Sequence, residues 1–173
     1  MTLIEAGTIE PDSDESLVIV DTPSGPMQAT AYMHQGRVES VAIRMVPSFV
    51  YGDNETLSVP EFGQLTVATV CVGGFFVMVS TDQIGLDFSP PNRDRLKELG
   101  MQLIHEANQQ LTVRHPTRPE VKTVDVTEFY DPSSDAQGKG KSMVILGEGH
   151  MDRSPCGTGT TAKMTLLHHR GQL

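Results

Sequence analysis

Cys156 is the residue with the most chemistry to offer. It sits in the run Asp152-Arg153-Ser154-Pro155-Cys156-Gly157-Thr158-Gly159-Thr160, just ahead of a stretch of good helix formers, Thr161 to Arg170. A cysteine at a helix N-terminus lies among backbone N–H groups that lack intrahelical partners, at the positive end of the helix dipole. Both effects favour the thiolate and predict a pKa below the free value of about 8.5. Gly157, Thr158 and Gly159 leave those N–H groups open and form a candidate anion nest. A carboxylate bound there would bring its own α-carbon beside the Cys156 sulfur, and Asp152 is spaced to hold a positively charged amine. Such a set suits an amino acid whose α-proton is removed by a thiolate. The competing readings are a small buried cysteine with no chemistry and a phosphate cradle. The cradle lacks the lysine and the spacing of a P-loop.

Few other residues compete. Cys71 lies inside an apolar run and reads as a core residue, not as a partner base. Two cysteines without a Cys-x-x-Cys spacing, and histidines without a His-x-x-x-His pair, predict no metal site and no disulfide framework. A thiol hydrolase or redox enzyme would need His150, His168 or His169 as base. The last two fall about three turns along the helix from the thiol, too far to reach it.

The elements that must position Cys156 read as mostly β, followed by two helices. Leu17–Asp21, Met27–Met33 and Val38–Val46 are expected strands, the first closed by the turn Thr22-Pro23-Ser24-Gly25. Thr56–Pro60 is expected at a sheet edge. Leu65–Val72 and Phe75–Ser80 are β-rich runs joined at Gly73-Gly74, which permits a tight turn. Ser89 and Pro90 signal a helix start, and Leu96, Leu99, Leu103, Ile104 and Ala107 then recur on one face. Gly100 inside that helix costs about 1 kcal/mol relative to alanine, which suggests close packing. Val121–Tyr130 and Ser142–Leu146 are expected strands flanking a polar loop, Asp131–Lys141. The last helix carries Ala162, Met164 and Leu166 and stops at Gly171.

The whole chain sets limits on partners. With 13 Lys and Arg against 22 Asp and Glu, its net charge is -9. That charge disfavours sequence-independent binding to nucleic acid or to an anionic membrane. The longest apolar stretch, Leu65–Val79, is too short to span a bilayer. The first residues, MTLIEAGTIEPDSDE, show no secretory pattern, so a cytoplasmic location with reduced thiols is expected.

The motif Asp152–Thr160, DRSPCGTGT, resembles the second cysteine motif of the proline racemase and 4-hydroxyproline 2-epimerase family. Val46-Pro47-Ser48-Phe49 is similar to that family's VPSF segment, Asp21–Gly25 to its DTPAG turn, and Gly73-Gly74-Phe75-Phe76 to its GGNFY strand. The resemblance implies racemisation or epimerisation at the α-carbon of proline or 4-hydroxyproline, with no cofactor and no metal. Two cysteines face opposite sides of that carbon; one takes the proton as thiolate and the other returns it as thiol. Cys156 matches one of the two. Asp152 would contact the substrate nitrogen, and the N–H groups of Gly157 and Thr158 would bind its carboxylate. A cysteine at 156 also separates the chain from the trans-3-hydroxyproline dehydratases, which usually carry threonine there.

The implied fold is α+β and diaminopimelate-epimerase-like, with two similar lobes, each a curved mixed β-sheet around a central helix. The first lobe is expected to be only partly present. Residues 1–53 would be its remnant, and 54–173 the second lobe, with its central helix from about 156. The family's first cysteine, in an M-C-G-H segment, has no counterpart in this sequence, and Met1–Pro11 resembles the tail of the helix that follows it. Val72 and Phe75 stand where the family usually has Tyr and Asn, and His150 where it often has Gln; a solvent-facing His150 is expected. The expected partners are the small-molecule substrate and, since relatives are commonly homodimers, a second copy. The alternative is a truncated relative that binds a proline-like carboxylate without turnover.

Overall fold

The computed structural model describes residues 1–135 and 139–173. It divides into two units, Met1–Pro47 and Ser48–Leu173. In the first, the short helix α1 (Thr2–Glu5) precedes three strands, β1 (Glu15–Thr22), β2 (Gly25–His34) and β3 (Arg37–Arg44). They pair antiparallel in the order β1-β2-β3. The β2–β3 turn holds Gln35 and Gly36 at φ +51° and +76°, the pair of positive values that matches a two-residue turn to strand twist. The three strands expected here are present, the last ending at Arg44. This unit buries only Ser16, Ala31 and Val38, while Leu17, Ile19, Val20 and Ile43 are exposed.

The second unit is a six-stranded sheet of β4 (Ser48–Val59), β5 (Gly63–Val72), β6 (Gly74–Ser80), β7 (Val124–Asp131), β8 (Lys141–Leu146) and β9 (His150–Met151), in that order. Every neighbouring pair is antiparallel except β6 and β7. A parallel pair needs a long crossover. Here it contains α2 (Thr81–Ile84), a 3-10 turn (Pro90–Asn92) and α3 (Arg93–Gln110), while α4 (Pro132–Asp135) follows β7 and α5 (Gly157–His169) follows β9.

Both faces of this sheet are covered. Cys71, Phe75, Val77, Val79, Phe129 and Ile145 share one core cluster with Leu96, Leu99, Leu103 and Ala107 of α3. Strand alternation sends their neighbours Val70, Met78, Glu128 and Val144 to the opposite face, where α5 packs on β4, β5 and β8 and buries Ala162 and Leu166. Burial on both faces explains why Leu65–Val79 reads as an almost continuous apolar run. Gly100 marks the closest approach on the α3 side. A Cβ there would lie 2.8 Å from Ile145 Cβ, and its carbonyl accepts the Thr127 hydroxyl at 2.7 Å.

Most strand ends shift by one to three residues, as in the strand expected from Val121, which begins at Val124, and three larger differences stand out. The α-helix after Ser89 begins at Arg93, because Pro90-Pro91-Asn92 forms the 3-10 turn first. The edge strand begins at Ser48 rather than Thr56. Register shifts at Val50/Gly52 and Gly52/Glu55 break the alternation that would have revealed it. The expected loop Asp131–Lys141 begins as strand and then the helical turn α4, and residues 136–138 of it lie outside the described residues.

Candidate active site

The segment entering α5 is tied down by its own polar groups. The Asp152 N–H donates to the Val144 carbonyl at 3.0 Å, which anchors it to β8. Ser154 N–H donates to Asp152 Oδ1 at 2.8 Å, and Cys156 N–H to Ser154 Oγ at 3.0 Å. These bonds hold Cys156 at φ +53°, a left-handed conformation that costs a non-glycine residue about 1–3 kcal/mol. Cys156 is therefore fixed as the residue capping α5. Its Sγ accepts the Gly159 N–H at 3.4 Å and lies 3.5 Å from Thr158 Oγ1. The N–H groups of Gly157 and Thr158 precede the first intrahelical bond, from Thr160 N–H to the Cys156 carbonyl at 2.8 Å, and so have no acceptor within the helix.

Cys156 is 9% exposed and forms part of the wall of an open cavity of about 350 Å³. Asp152, Ser154, Phe88, Met143 and Met151 line the same cavity. Of the four expected site residues, Cys156 and Asp152 stand on the cavity wall, whereas Gly157 and Thr158 are not part of its lining and stand in the first turn of α5. Cys71 is not there. It is fully buried in the α3-side core, and burial pushes its thiol up. His150 is exposed, and His168 and His169 close the far end of α5, roughly 18 Å along the helix from Cys156.

The expected depression of the Cys156 pKa is not found. Burial pushes the thiol above its ordinary value; the Thr158 and Gly159 hydrogen bonds oppose this, and the nearby Asp152 carboxylate raises it further. Asp152 itself is held below the usual carboxylate range, chiefly by the Ser154 N–H. An anionic Asp152 beside a protonated Cys156 is the resting arrangement at neutral pH.

Sequence reasoning missed Glu128. It stands on β7, fully buried, and neither carboxylate oxygen has a hydrogen-bond partner among the described residues. Burial pushes it up to about 8, against the weaker opposing pull of the Ser142 hydroxyl and the Lys163 charge. A Cβ built on Gly159 would lie 2.7 Å from Val144 Cγ2 and 3.3 Å from both Cys156 Sγ and Glu128 Oε2. The one signal available in the sequence is a carboxylate inside the strand run VDVTEFY.

Residues 1–173 match the family model described as proline racemase. The chain is 40% identical to proline racemase A of Trypanosoma cruzi over 160 residues, covering 90% of this chain and 38% of that protein. It is 34% identical to the proline racemase of Clostridioides difficile over 170 residues, covering 98% of this chain and 51% of the relative. With the 4-hydroxyproline 2-epimerase of Agrobacterium fabrum it shares 36% identity over 171 residues, 99% of this chain and 49% of the relative. The crystal structure of a hydroxyproline epimerase from Agrobacterium vitis, with bound trans-4-OH-L-proline, matches with a TM-score of 0.90 at 35% identity. That match covers 99% of this chain and 50% of the other. The mixed α+β fold is that of the solved hydroxyproline epimerase structure it matches. The chain belongs to the proline racemase family, and it spans about half the length, or less, of the curated relatives it matches. No helix among the described residues is long and apolar enough to cross a membrane.

Proposed function

We propose that this chain carries one half-site of a racemase or epimerase acting at the α-carbon of proline or 4-hydroxyproline, with Cys156 as one of two acid–base groups. Residues 1–53 are read as part of a first lobe and 54–173 as most of the second. The substrate carboxylate binds the N–H groups of Gly157 and Thr158, and Asp152 holds the ring nitrogen. As thiolate, Cys156 takes the α-proton: the C–H bond breaks, an S–H bond forms, and the electron pair stays on a carbanion next to the bound carboxylate. A thiol on the opposite face then returns a proton. In the reverse direction Cys156 is the donor, the state that burial and Asp152 favour. No metal or organic cofactor enters this scheme, and assembly as a homodimer belongs to the same reading.

The observation that carries this reading is the meeting of one cavity-wall thiol, one ionised carboxylate and two uncommitted N–H groups at the mouth of α5. Incubation with L-proline or trans-4-hydroxy-L-proline in deuterated water, followed by NMR of the α-proton, tests it. Exchange that disappears in Cys156→Ser supports the reading, and no exchange with either substrate rejects an active chain.

A second reading rests on a specific count. The sequence has two cysteines, and Cys71 is sealed in the core, so the chain presents a single thiol. One thiol cannot serve both faces of a stereocentre. Alone, it supports exchange with retention, or carboxylate binding without turnover. Calorimetric binding of pyrrole-2-carboxylate separates these outcomes: binding without exchange favours the second reading, and no binding removes both.

A further inference from the structure

We propose that Glu128 is a positioning residue for Cys156, a buried carboxyl that faces the sulfur across the gap left by Gly159 and biases it between thiol and thiolate. The proposal deepens the half-site reading above and rests on Cys156 acting as an acid–base group.

The geometry begins with Gly159. Cys156 Sγ and Glu128 Oε2 each lie 3.3 Å from the point where a Cβ on Gly159 would stand. The two atoms are therefore at most about 6.6 Å apart, and no side chain on residue 159 comes between them. Two groups oppose burial at Glu128, the Ser142 hydroxyl and the Lys163 charge, and neither meets it in hydrogen-bond geometry. Its two oxygens are fully buried and accept no hydrogen bond among the described residues, whereas buried polar groups are almost always paired. Its strand neighbours across the sheet are Met78 and Val144, both apolar.

The charges that face this pair are few. From α5 comes Lys163, but its ammonium is bound to Asp135 at 2.6 Å and donates to the Lys141 carbonyl at 3.3 Å. It also lies 5.9 Å from the Tyr130 ring centroid. Ser142 approaches from β8 as a neutral hydroxyl, and Asp152 lies on the thiol side. The Lys163 charge is thus largely neutralised by Asp135. An ionised Glu128 would put a second negative charge into the low-dielectric space behind the sulfur.

The consequence is a coupled titration. Two groups this close lose their protons in macroscopic steps that belong to the pair. The carboxyl, pushed up to about 8, ionises first and makes thiolate formation harder. Below that pH it is neutral and exerts no such restraint. In a two-thiol reaction one sulfur must wait protonated, and above about pH 8 this carboxyl adds to the bias that burial and Asp152 already place on Cys156.

The test is alkylation by iodoacetamide from pH 6 to 11, with peptide mass spectrometry reading Cys156 and Cys71 separately. It needs no substrate and no turnover, so an inactive chain leaves the proposal standing, and a failed proposal leaves the exchange assay untouched. In Glu128→Gln the midpoint for Cys156 should fall by about two pH units, the size of one charge at about 6.6 Å with an effective dielectric of about 20. Glu128→Asp should stay nearer the wild type. Cys71, sealed in the core, should remain unlabelled in any folded variant. Coincident Cys156 midpoints in wild type and Glu128→Gln, with Cys71 protected, overturn the proposal. If Glu128→Gln labels at Cys71, the wild-type curve decides. A rise that flattens near pH 8 and then resumes supports the coupling; a single smooth one-proton rise rejects it.

Discussion

Replacing Glu128 with glutamine keeps the shape of the side chain and removes its ability to ionise. In the unfolded chain this carboxyl titrates at its ordinary value of 4.5, and in the folded protein at about 8. Between those two values the folded state holds a proton that the unfolded state has released. Stability therefore falls as pH rises through this window and levels off above about 8. Each pH unit is worth about 1.4 kcal/mol, so over the whole window the wild type loses on the order of 5 kcal/mol from this group alone. The glutamine variant has no such slope. It instead buries an amide that lacks partners, a cost of about 1–3 kcal/mol at every pH. The two proteins should cross: the variant is less stable at pH 5 and more stable by about 2–4 kcal/mol at pH 9.

Urea unfolding at pH 5, 7 and 9 measures this directly. The chain has no tryptophan, so far-UV circular dichroism is the probe. Apart from Cys156, whose titration the variant is expected to shift, the other titrating groups are common to both proteins and cancel in the difference. Wild-type and variant stabilities that run parallel from pH 5 to 9 would refute the argument, since Glu128 would then be either ionised throughout or solvated.

Three further outcomes are expected. Gly159→Ala drives a methyl to 2.7 Å from Val144 Cγ2 and should destabilise the fold by about 1–3 kcal/mol, read by urea unfolding, while it closes the gap between Glu128 and Cys156. Gly100→Ala gains about 1 kcal/mol of helix propensity but puts its Cβ 2.8 Å from Ile145 Cβ, where the strand backbone cannot yield; a net fall in Tm is expected, and a rise would refute the close-packing account. Asp53 is gripped by Arg170 through two bonds of 2.6 and 3.1 Å, which hold its carboxyl below the usual range. The stability this contributes is complete above the ordinary carboxylate value and is lost as pH falls through the lowered one. Asp53→Asn should therefore cost about 1.5–3 kcal/mol at pH 7, with the difference from wild type shrinking in acid unfolding as pH falls below the ordinary carboxylate value.

The sequence made legible what local chemistry dictates. Gly73, Gly36 and the Thr22–Gly25 turn punctuate the strands where expected, Leu96 to Ala107 form the buried face of α3, and Cys156 stands at the start of the last helix. What stayed hidden depends on partners distant in the chain. The bulges in β4 are visible only against β5. Glu128 looks like any strand carboxylate until Met78, Val144 and α5 close over it.

The Cys156 thiol shows the same division in energetic terms. A helix N-terminus favours an anion by about 0.3–1 kcal/mol near a surface, which is less than one pH unit of thiol ionisation. That contribution can be inferred from the motif alone. Of the opposing ones, burial against the cavity wall requires the chain to fold back on itself, the charge of Asp152 comes from the same motif, and together they prevail. Asp152→Asn isolates the second of them: with the negative charge removed, the alkylation midpoint of Cys156 should fall while Cys71 stays protected. An unchanged midpoint would leave burial and the proposed influence of Glu128 as the causes, and Asp152 would then have no electrostatic hold on the sulfur whose substrate it is proposed to share.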